Sequence, residues 1–209
     1  MAKYVGADCR QCRREGCKLF LKGDRCTSKK CAMERHPSIP GQHGSKPKRA
    51  KTYGYVIQLR EKQKVKRLYG LLEKQFRRYY EKAEAMKGVT GANMLSLLER
   101  RLDNVVYRMG IGSSRAESRQ IVNHSHISVN GKKVNIPSYQ VKVGDEIAIM
   151  ENSKEKEMFK NLKGVKVVTP KWIEFNNETL TGKINAIPER EDIDLEIKEH
   201  LIVELYSRN

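Results

Sequence analysis

All five cysteines of the chain fall between residues 9 and 31, and that crowding is its plainest chemical signal. Cys9-Arg-Gln-Cys12 is a CxxC knuckle whose two sulfurs can reach one ion; Cys26 and Cys31 supply a second pair after a 13-residue loop. This C-x2-C-x13-C-x4-C spacing fits tetrahedral thiolate coordination of Zn²⁺. The loop is rich in charge and poor in apolar residues, so metal binding would have to supply its folding energy. Four thiolates around Zn²⁺ leave two negative charges. Arg10, Arg13, Arg14, Lys18, Arg25, Lys29 and Lys30 would offset them and favour the thiolate form. The same donor set suits an iron–sulfur cluster, and the bland reading is free thiols without metal. Cys17 is left over, while His36 and His43 stand further out as substitutes.

The setting of those thiols is strongly basic. The 209 residues carry 42 Lys and Arg against 25 Asp and Glu, a formal net charge of +17. Such an excess repels itself in a folded state, so it calls for a polyanion, and nucleic acid leads. The excess is uneven: net +9 over residues 1–50, +7 over 51–100, +3 over 101–150 and −2 over 151–209. The first half is the expected polyanion-binding arm, and the last quarter is expected to face protein or solvent. No apolar run approaches the ~20 residues that span a bilayer, so no membrane partner is expected. "MAKYVGADC" turns polar at once, without the apolar core of a signal peptide, which reads as cytoplasmic. Thiols stay reduced there, and an odd count of five argues against a pure disulfide framework.

Positioning elements come next along the chain. "ERHPSIPGQHGSKPKRAK" reads as an extended linker with turns at Pro37, Pro40 and Gly41, and Lys46, Lys48, Arg49 and Lys51 are spaced to follow a phosphate backbone. Helical periodicity begins at Val56 and stops at Gly70; a second helix carries Leu72, Phe76, Tyr79 or Tyr80, Ala83 and Met86 to Gly88. Its aromatic stripe reads as core, leaving Arg77, Arg78 and Lys82 off the stripe to meet phosphate. "GANMLSLLERRLDNVVYRMG" reads as a third helix, bearing Met94, Leu98, Leu102, Val105 and Met109. Ser114 and Glu117 form an S-x-x-E capping box opening a short helix, on one face of which lie Arg115 and Arg119. Ile127 and Val129 alternate into Asn130-Gly131, a type I′ hairpin signal, and Gly144-Asp145 makes a second turn. A small sheet beside that helix would set Arg115 and Arg119 near Lys132 and Lys133 as one basic face. Residues 151–164 read as a polar helix, Trp172 as packing, "PEREDIDLEIKEH" as an acidic segment for a protein partner or the basic helices, and "LIVELYSRN" as buried.

"RLDNVVYRMG", "SRAESRQIV", "HISVNGKKV", "PSYQV" and "GDEI" resemble the S-four RNA-binding domain, found in several RNA-binding proteins and RNA enzymes. The resemblance extends over "CRREGCKLFLKG", "PGQHG", "YGYVIQLREKQKVKRLYG", "EKQFRRYYEKA", "KGVTGANMLSLLERRLDNVVYR" and "EHLIVELYSR", nearly the whole chain, to the bacterial small-subunit ribosomal protein S-four family. Two departures stand out: Ser125 where the family has Gly, and Ser118 where it has Ala. The resemblance implies a structural, non-enzymatic protein of the small subunit that binds the five-helix junction of the 5′ domain of small-subunit ribosomal RNA, nucleates assembly and contributes to translational accuracy. It implies contact with neighbouring small-subunit proteins, and with messenger RNA where that RNA enters the subunit, through Lys46, Lys48 and Arg49. Cys9, Cys12, Cys26 and Cys31 match the zinc site that some members carry.

The expected fold is α+β: a zinc-stabilised N-terminal module and linker (1–45), a small helical domain (46–98) with 190–209 packing back on it, and an S-four-type domain of short helices and a small antiparallel sheet (99–189). The competing reading is an RNA-modifying enzyme carrying this domain as an accessory. No G-x-x-x-x-G-K-[ST] loop or H-E-x-x-H motif supports it. A zinc-module DNA regulator lacks a helix-turn-helix or repeated finger pattern.

Overall fold

The computed structural model describes residues 3–44, 54–162, 168–193 and 196–208. The chain forms two compact units, Met1–Met94 with Leu195–Asn209, and Leu95–Asp194. In chain order the helices are α1 (Asp8–Glu15), α2 (Ala32–Arg35), α3 (Gly54–Leu68), α4 (Glu73–Glu84), α5 (Thr90–Glu99), α6 (Leu102–Arg108), α7 (Arg115–Asn123), α8 (Glu151–Lys154), α9 (Glu157–Lys160) and α10 (Glu199–Ser207). The strands are β1 (Ile127–Val129), β2 (Lys132–Lys133), β3 (Glu146–Ile149), β4 (Ile173–Asn176) and β5 (Thr181–Ile184).

In the first unit the middle of the expected stripe is buried on α4 (Phe76, Tyr79, Tyr80 and Ala83), whereas its two ends, Leu72 and Met86, fall outside the helix, which runs from Glu73 to Glu84, and are exposed. The C-terminal segment closes over that stripe. On α10, Ile202 and Leu205 are buried, and Tyr206 stacks on Tyr80 with ring centroids 4.7 Å apart. The Tyr206 hydroxyl donates to Glu73 at 2.8 Å, and Lys62 and Lys66 of α3 donate to the same carboxylate at 2.7 and 2.9 Å. Three helices thus meet on one acidic side chain. Burial alone would raise the Glu73 carboxyl; the hydrogen bonds from Lys62, Lys66 and Tyr206, with the charge of Lys66, outweigh it and hold the group at about 2. The segment before α10 is tied down as well: Lys64 of α3 donates to the Glu196 carbonyl, and the Lys198 amide donates to Glu61. A buried carboxylate, Glu15 at the end of α1, accepts from Arg60 and Arg67 of α3 and docks the cysteine segment on that helix.

The second unit is a five-stranded antiparallel sheet in the order β2-β1-β3-β5-β4 with helices against it. Leu102, Val105 and Val106 of α6, Met109 at its C-terminal cap and Ile121 and Val122 of α7 share one core with Ile127, Ile147, Ile149, Ile173 and Ile184 of the strands, with Phe159 and with Trp172. The helix comes so close that a Cβ on Gly182 of β5 would stand 2.5 Å from Met109 Cε. The β1–β2 hairpin turns at Asn130-Gly131, with φ 50° and 75°, the two left-handed residues of a type I′ turn.

Two helical expectations are corrected. The helix expected through residues 91–110 is two, α5 and α6. Between them Arg101 is extended, forms an isolated bridge with Gln140, and the Leu102 and Asp103 amides donate to the Tyr139 and Pro137 carbonyls. Backbone pairing to the 137–141 strap replaces the intrahelical bonds. The polar helix expected over 151–164 is two single turns, α8 and α9, separated at Lys156, whose ψ of 139° is extended. Residues 163–164 lie outside the described residues.

Three helices end in one way. At Gly70, Gly110 and Ser125 the chain takes a left-handed φ of 63°, 70° and 63°. In each case the next amide reaches back five residues: Leu71 to Lys66, Ile111 to Val106 and His126 to Ile121. This is the Schellman cap, which ordinarily uses Gly at the left-handed position. Ser125 holds it at a steric cost.

Candidate nucleic-acid interface

The cations singled out in the sequence divide between the units. Lys46, Lys48, Arg49 and Lys51 lie outside the described residues. In the first unit, Arg77 and Arg78 stand exposed on the solvent face of α4, opposite its buried stripe. Arg77 pairs with Glu81 one turn on, at 3.2 Å, with both side chains more than half exposed, a pair worth little in water. Before α4, the cysteine segment carries Arg10, Arg14, Lys22, Arg25, Lys29 and Lys30 in the open, whereas Lys18 is held by Glu34. In the second unit, Lys132 and Lys133 stand exposed on β2 at the edge of the sheet.

The expected face of Arg115, Arg119, Lys132 and Lys133 loses one member. Capping of α7 places the two arginines: Ser114 accepts from the Glu117 amide, while Glu117 reaches back to the Ser113 amide and hydroxyl rather than to Ser114 itself. Arg115 is half-buried; its Nε donates to Asn104 at 2.8 Å and its guanidinium lies 4.5 Å over the Tyr107 ring. Arg119 is only 5% exposed and its Nη1 sits 3.6 Å from Asp103 Oδ2, so it presents no surface to a phosphate. The two arginines do share one side of α7. That side faces α6.

What the arginines join was missed from sequence. Asp103, at the start of α6, takes two hydrogen bonds from Arg101 at 3.0 and 2.6 Å, and Arg101 is 1% exposed. Glu99, fully buried, takes two from Arg108, both at 2.9 Å, and one from Asn104 at 2.7 Å. Three arginines therefore meet two buried carboxylates directly, and a fourth, Arg115, joins the cluster through Asn104, leaving an excess of positive charge around α6 and α7. The alternating signs in "LERRLDNVVYR" were the available signal, hidden because its apolar period is that of an ordinary surface helix.

The cysteines have their own geometry. Cys9, Cys12, Cys26 and Cys31 line a single cavity of about 10 Å³ with Lys22, Arg25, Ala32 and Met33. Cys12, Cys26 and Cys31 are buried and none is in a disulfide. The Lys22 amide donates to Cys26 Sγ at 3.3 Å. Burial pushes the Cys12 thiol up, the nearby Cys26, Cys9 and Cys17 add to this, and a hydrogen bond from the Leu19 backbone acts against it. Among the described residues no three His, Cys, Asp or Glu side chains are arranged to hold a metal ion. Cys17 is outside the cavity, beside Lys64, Glu15 and Glu61.

Beyond this geometry, residues 3–99 match the "Ribosomal protein S4/S9 N-terminal domain" family and residues 100–147 the "S4 domain" family. Small ribosomal subunit protein uS4 of Caldicellulosiruptor bescii is 62% identical over 210 residues, covering all of both chains. The proteins of the same name from Ruminiclostridium cellulolyticum and Clostridioides difficile are 60% and 61% identical, again over the whole of each chain. With both halves matched and full-length relatives at this identity, the chain belongs to the small ribosomal subunit protein uS4 family.

Proposed function

We infer that the chain is a structural constituent of the small ribosomal subunit and binds its ribosomal RNA, residing in the cytoplasm as part of that particle. The observation that carries this, beside the family, is the separation of its cations. One set is buried and spent on Glu99 and Asp103; another, including Arg10, Arg14, Lys29, Lys30, Arg78, Lys132 and Lys133, stands in solvent on helices, a strand and a turn. Exposed cations bind RNA by releasing its condensed counterions, and their placement within each folded unit favours a folded RNA by shape rather than by reading bases. The chain is structural rather than enzymatic, in keeping with relatives that match over their full length.

The 5′ domain junction is the RNA target, and nucleation of assembly and a contribution to accuracy follow from holding it. Neighbouring small-subunit proteins are the second class of partner. A cleft in the second unit walled by Glu189, Glu191 and Asp192 opposite Arg108 and Lys171 supports a protein contact rather than an RNA one, because its acidic wall repels phosphate. Contact with incoming messenger RNA rests on Lys46, Lys48 and Arg49 in the sequence alone.

Zn²⁺ is the metal we assign to Cys9, Cys12, Cys26 and Cys31. The donor chemistry supports the assignment: four thiols line one cavity, the Lys22 amide points at Cys26 Sγ, and no carboxylate or imidazole lines that cavity, although the thiols do not yet hold metal-binding positions and would have to draw together around the ion. When bound, the ion would cross-link α1 to the Gly23–Cys26 turn and the start of α2. An iron–sulfur cluster on the same thiols would be visible by its colour.

The test is equilibrium binding of the full chain to 5′ domain RNA and to an unrelated folded RNA of equal length, at physiological and raised salt. A preference that survives added salt is expected. Equal affinities that collapse together would reduce the protein to an unselective polycation.

A further inference from the structure

The "PGQHG" motif, prominent in sequence, has no part in the interface described above. Its backbone is closed on itself: a Cβ on Gly44 would fall 1.6 Å from the Ile39 carbonyl, and the Gly44 amide donates to the Gly41 carbonyl at 3.1 Å. Gly41 has a φ of +114°. These two glycines hold Ser38, Ile39, Pro40 and Gly41 as one wall of a cavity of about 330 Å³, and Arg10 and Arg13 of α1 form the other. Three residues apart on a helix, the two arginines share a face.

No carboxylate lines this cavity, and Arg10 is exposed and pairs with none among the described residues. Arg13 is half-buried, and its Nε is shut off from solvent with no hydrogen-bond partner. A desolvated guanidinium N–H without an acceptor is costly, more so than a neutral donor. Two arginines lining an open cleft with a preformed loop suit a tetrahedral anion that can take several N–H donors at once, and such an anion would offset the charge of Arg13, whose Nε is buried without an acceptor. The two arginines would repel a metal cation.

We propose that the cleft between Arg10, Arg13 and the Ser38–Gly41 loop is a phosphate pocket that seats one backbone phosphodiester of the bound RNA. It rests on the RNA-binding reading given above. The pocket positions the RNA without reading its sequence, and the loop glycines serve to keep the loop wall closed on itself. Arg13 is the desolvated anchor and Arg10 the open partner that closes on the anion.

The experiment compares the zinc-loaded full chain with Arg10→Gln, Arg13→Gln and Arg13→Lys, measuring affinity for 5′ domain RNA and for the control RNA across a salt series. Each Gln variant is expected to lower the steepness of log affinity against log salt by roughly 1 and to weaken low-salt binding roughly tenfold on both RNAs. Arg13→Lys should recover the salt steepness but not the full affinity, because a point charge replaces the fork. Metal content and circular dichroism check the fold; if Arg13→Gln loses either, Arg10→Gln decides, its side chain being in solvent. Unchanged slopes in folded variants would overturn the pocket, as would unchanged RNA binding with loss of a neighbouring small-subunit protein. Failure of the wild type to prefer 5′ domain RNA would instead strike the RNA-target reading, since the slope difference can be read on either RNA.

Discussion

Replacing Arg119 with Ala separates a cation that serves the fold from one that serves the RNA. Arg119 shares Asp103 with Arg101: its Nη1 is 3.6 Å from Oδ2, while Arg101 holds the same carboxylate through two bonds of 3.0 and 2.6 Å. All three side chains are at most 7% exposed. Removing one partner of a buried pair costs roughly 3–5 kcal/mol when the other is left uncompensated. Asp103→Ala leaves two guanidiniums without their shared carboxylate and should cost about 4 kcal/mol on that scale. Arg119→Ala leaves Asp103 still forked by Arg101, so about half of that, ~2 kcal/mol, is expected. For a unit of about 100 residues, each kcal/mol lowers Tm by roughly 4–8 °C. Arg119→Ala should therefore lower the transition of the second unit by roughly 10 °C, and Asp103→Ala by about twice as much. Thermal unfolding at fixed ionic strength reads this directly, alongside RNA affinity well below the transition. If Arg119→Ala melts like the parent yet loses RNA affinity several-fold, the reasoning is wrong and Arg119 touches RNA.

Other outcomes follow from individual contacts. Glu73 is held at about 2, below its ordinary 4.5, so the unfolded chain binds its proton first. Its contribution to stability is complete above pH 4.5, drains away as pH falls toward 2, and should vanish from the acid limb of a stability–pH curve in Glu73→Gln; identical curves would refute the clasp. Ser125→Gly should stabilise by about 1 kcal/mol in urea unfolding, because it relieves a left-handed serine; destabilisation would mean the Ser side chain earns its place. Protein purified without oxygen should hold about one Zn²⁺ by elemental analysis. Chelation should loosen residues 9–31 to amide exchange and leave the sheet of the second unit protected, whereas a metal-free protein with a protected segment would sink the assignment.

The local structure was legible where one period or one turn decides it. The stripe of Phe76, Tyr79, Tyr80 and Ala83 allows only one helix face inward, and Asn130-Gly131 admits the two left-handed residues of its hairpin at little cost. The cysteine spacing named four thiols, and those four line one cavity without Cys17. Net charge and its drift along the chain pointed to a polyanion before any fold was known. Tertiary structure alone decided which arginines are available to it. Arg115 and Arg119 look alike in sequence, four residues apart on one helix, and their shared face turned out to be the one packed on α6. The break at Arg101 had the same origin, since the bonds that replace its helix come from residues 137–141, some 40 positions away. Sequence pattern reports a residue's own preference and its spacing. It carries no record of which buried carboxylate a cation will meet, because that depends on the path of the chain between them.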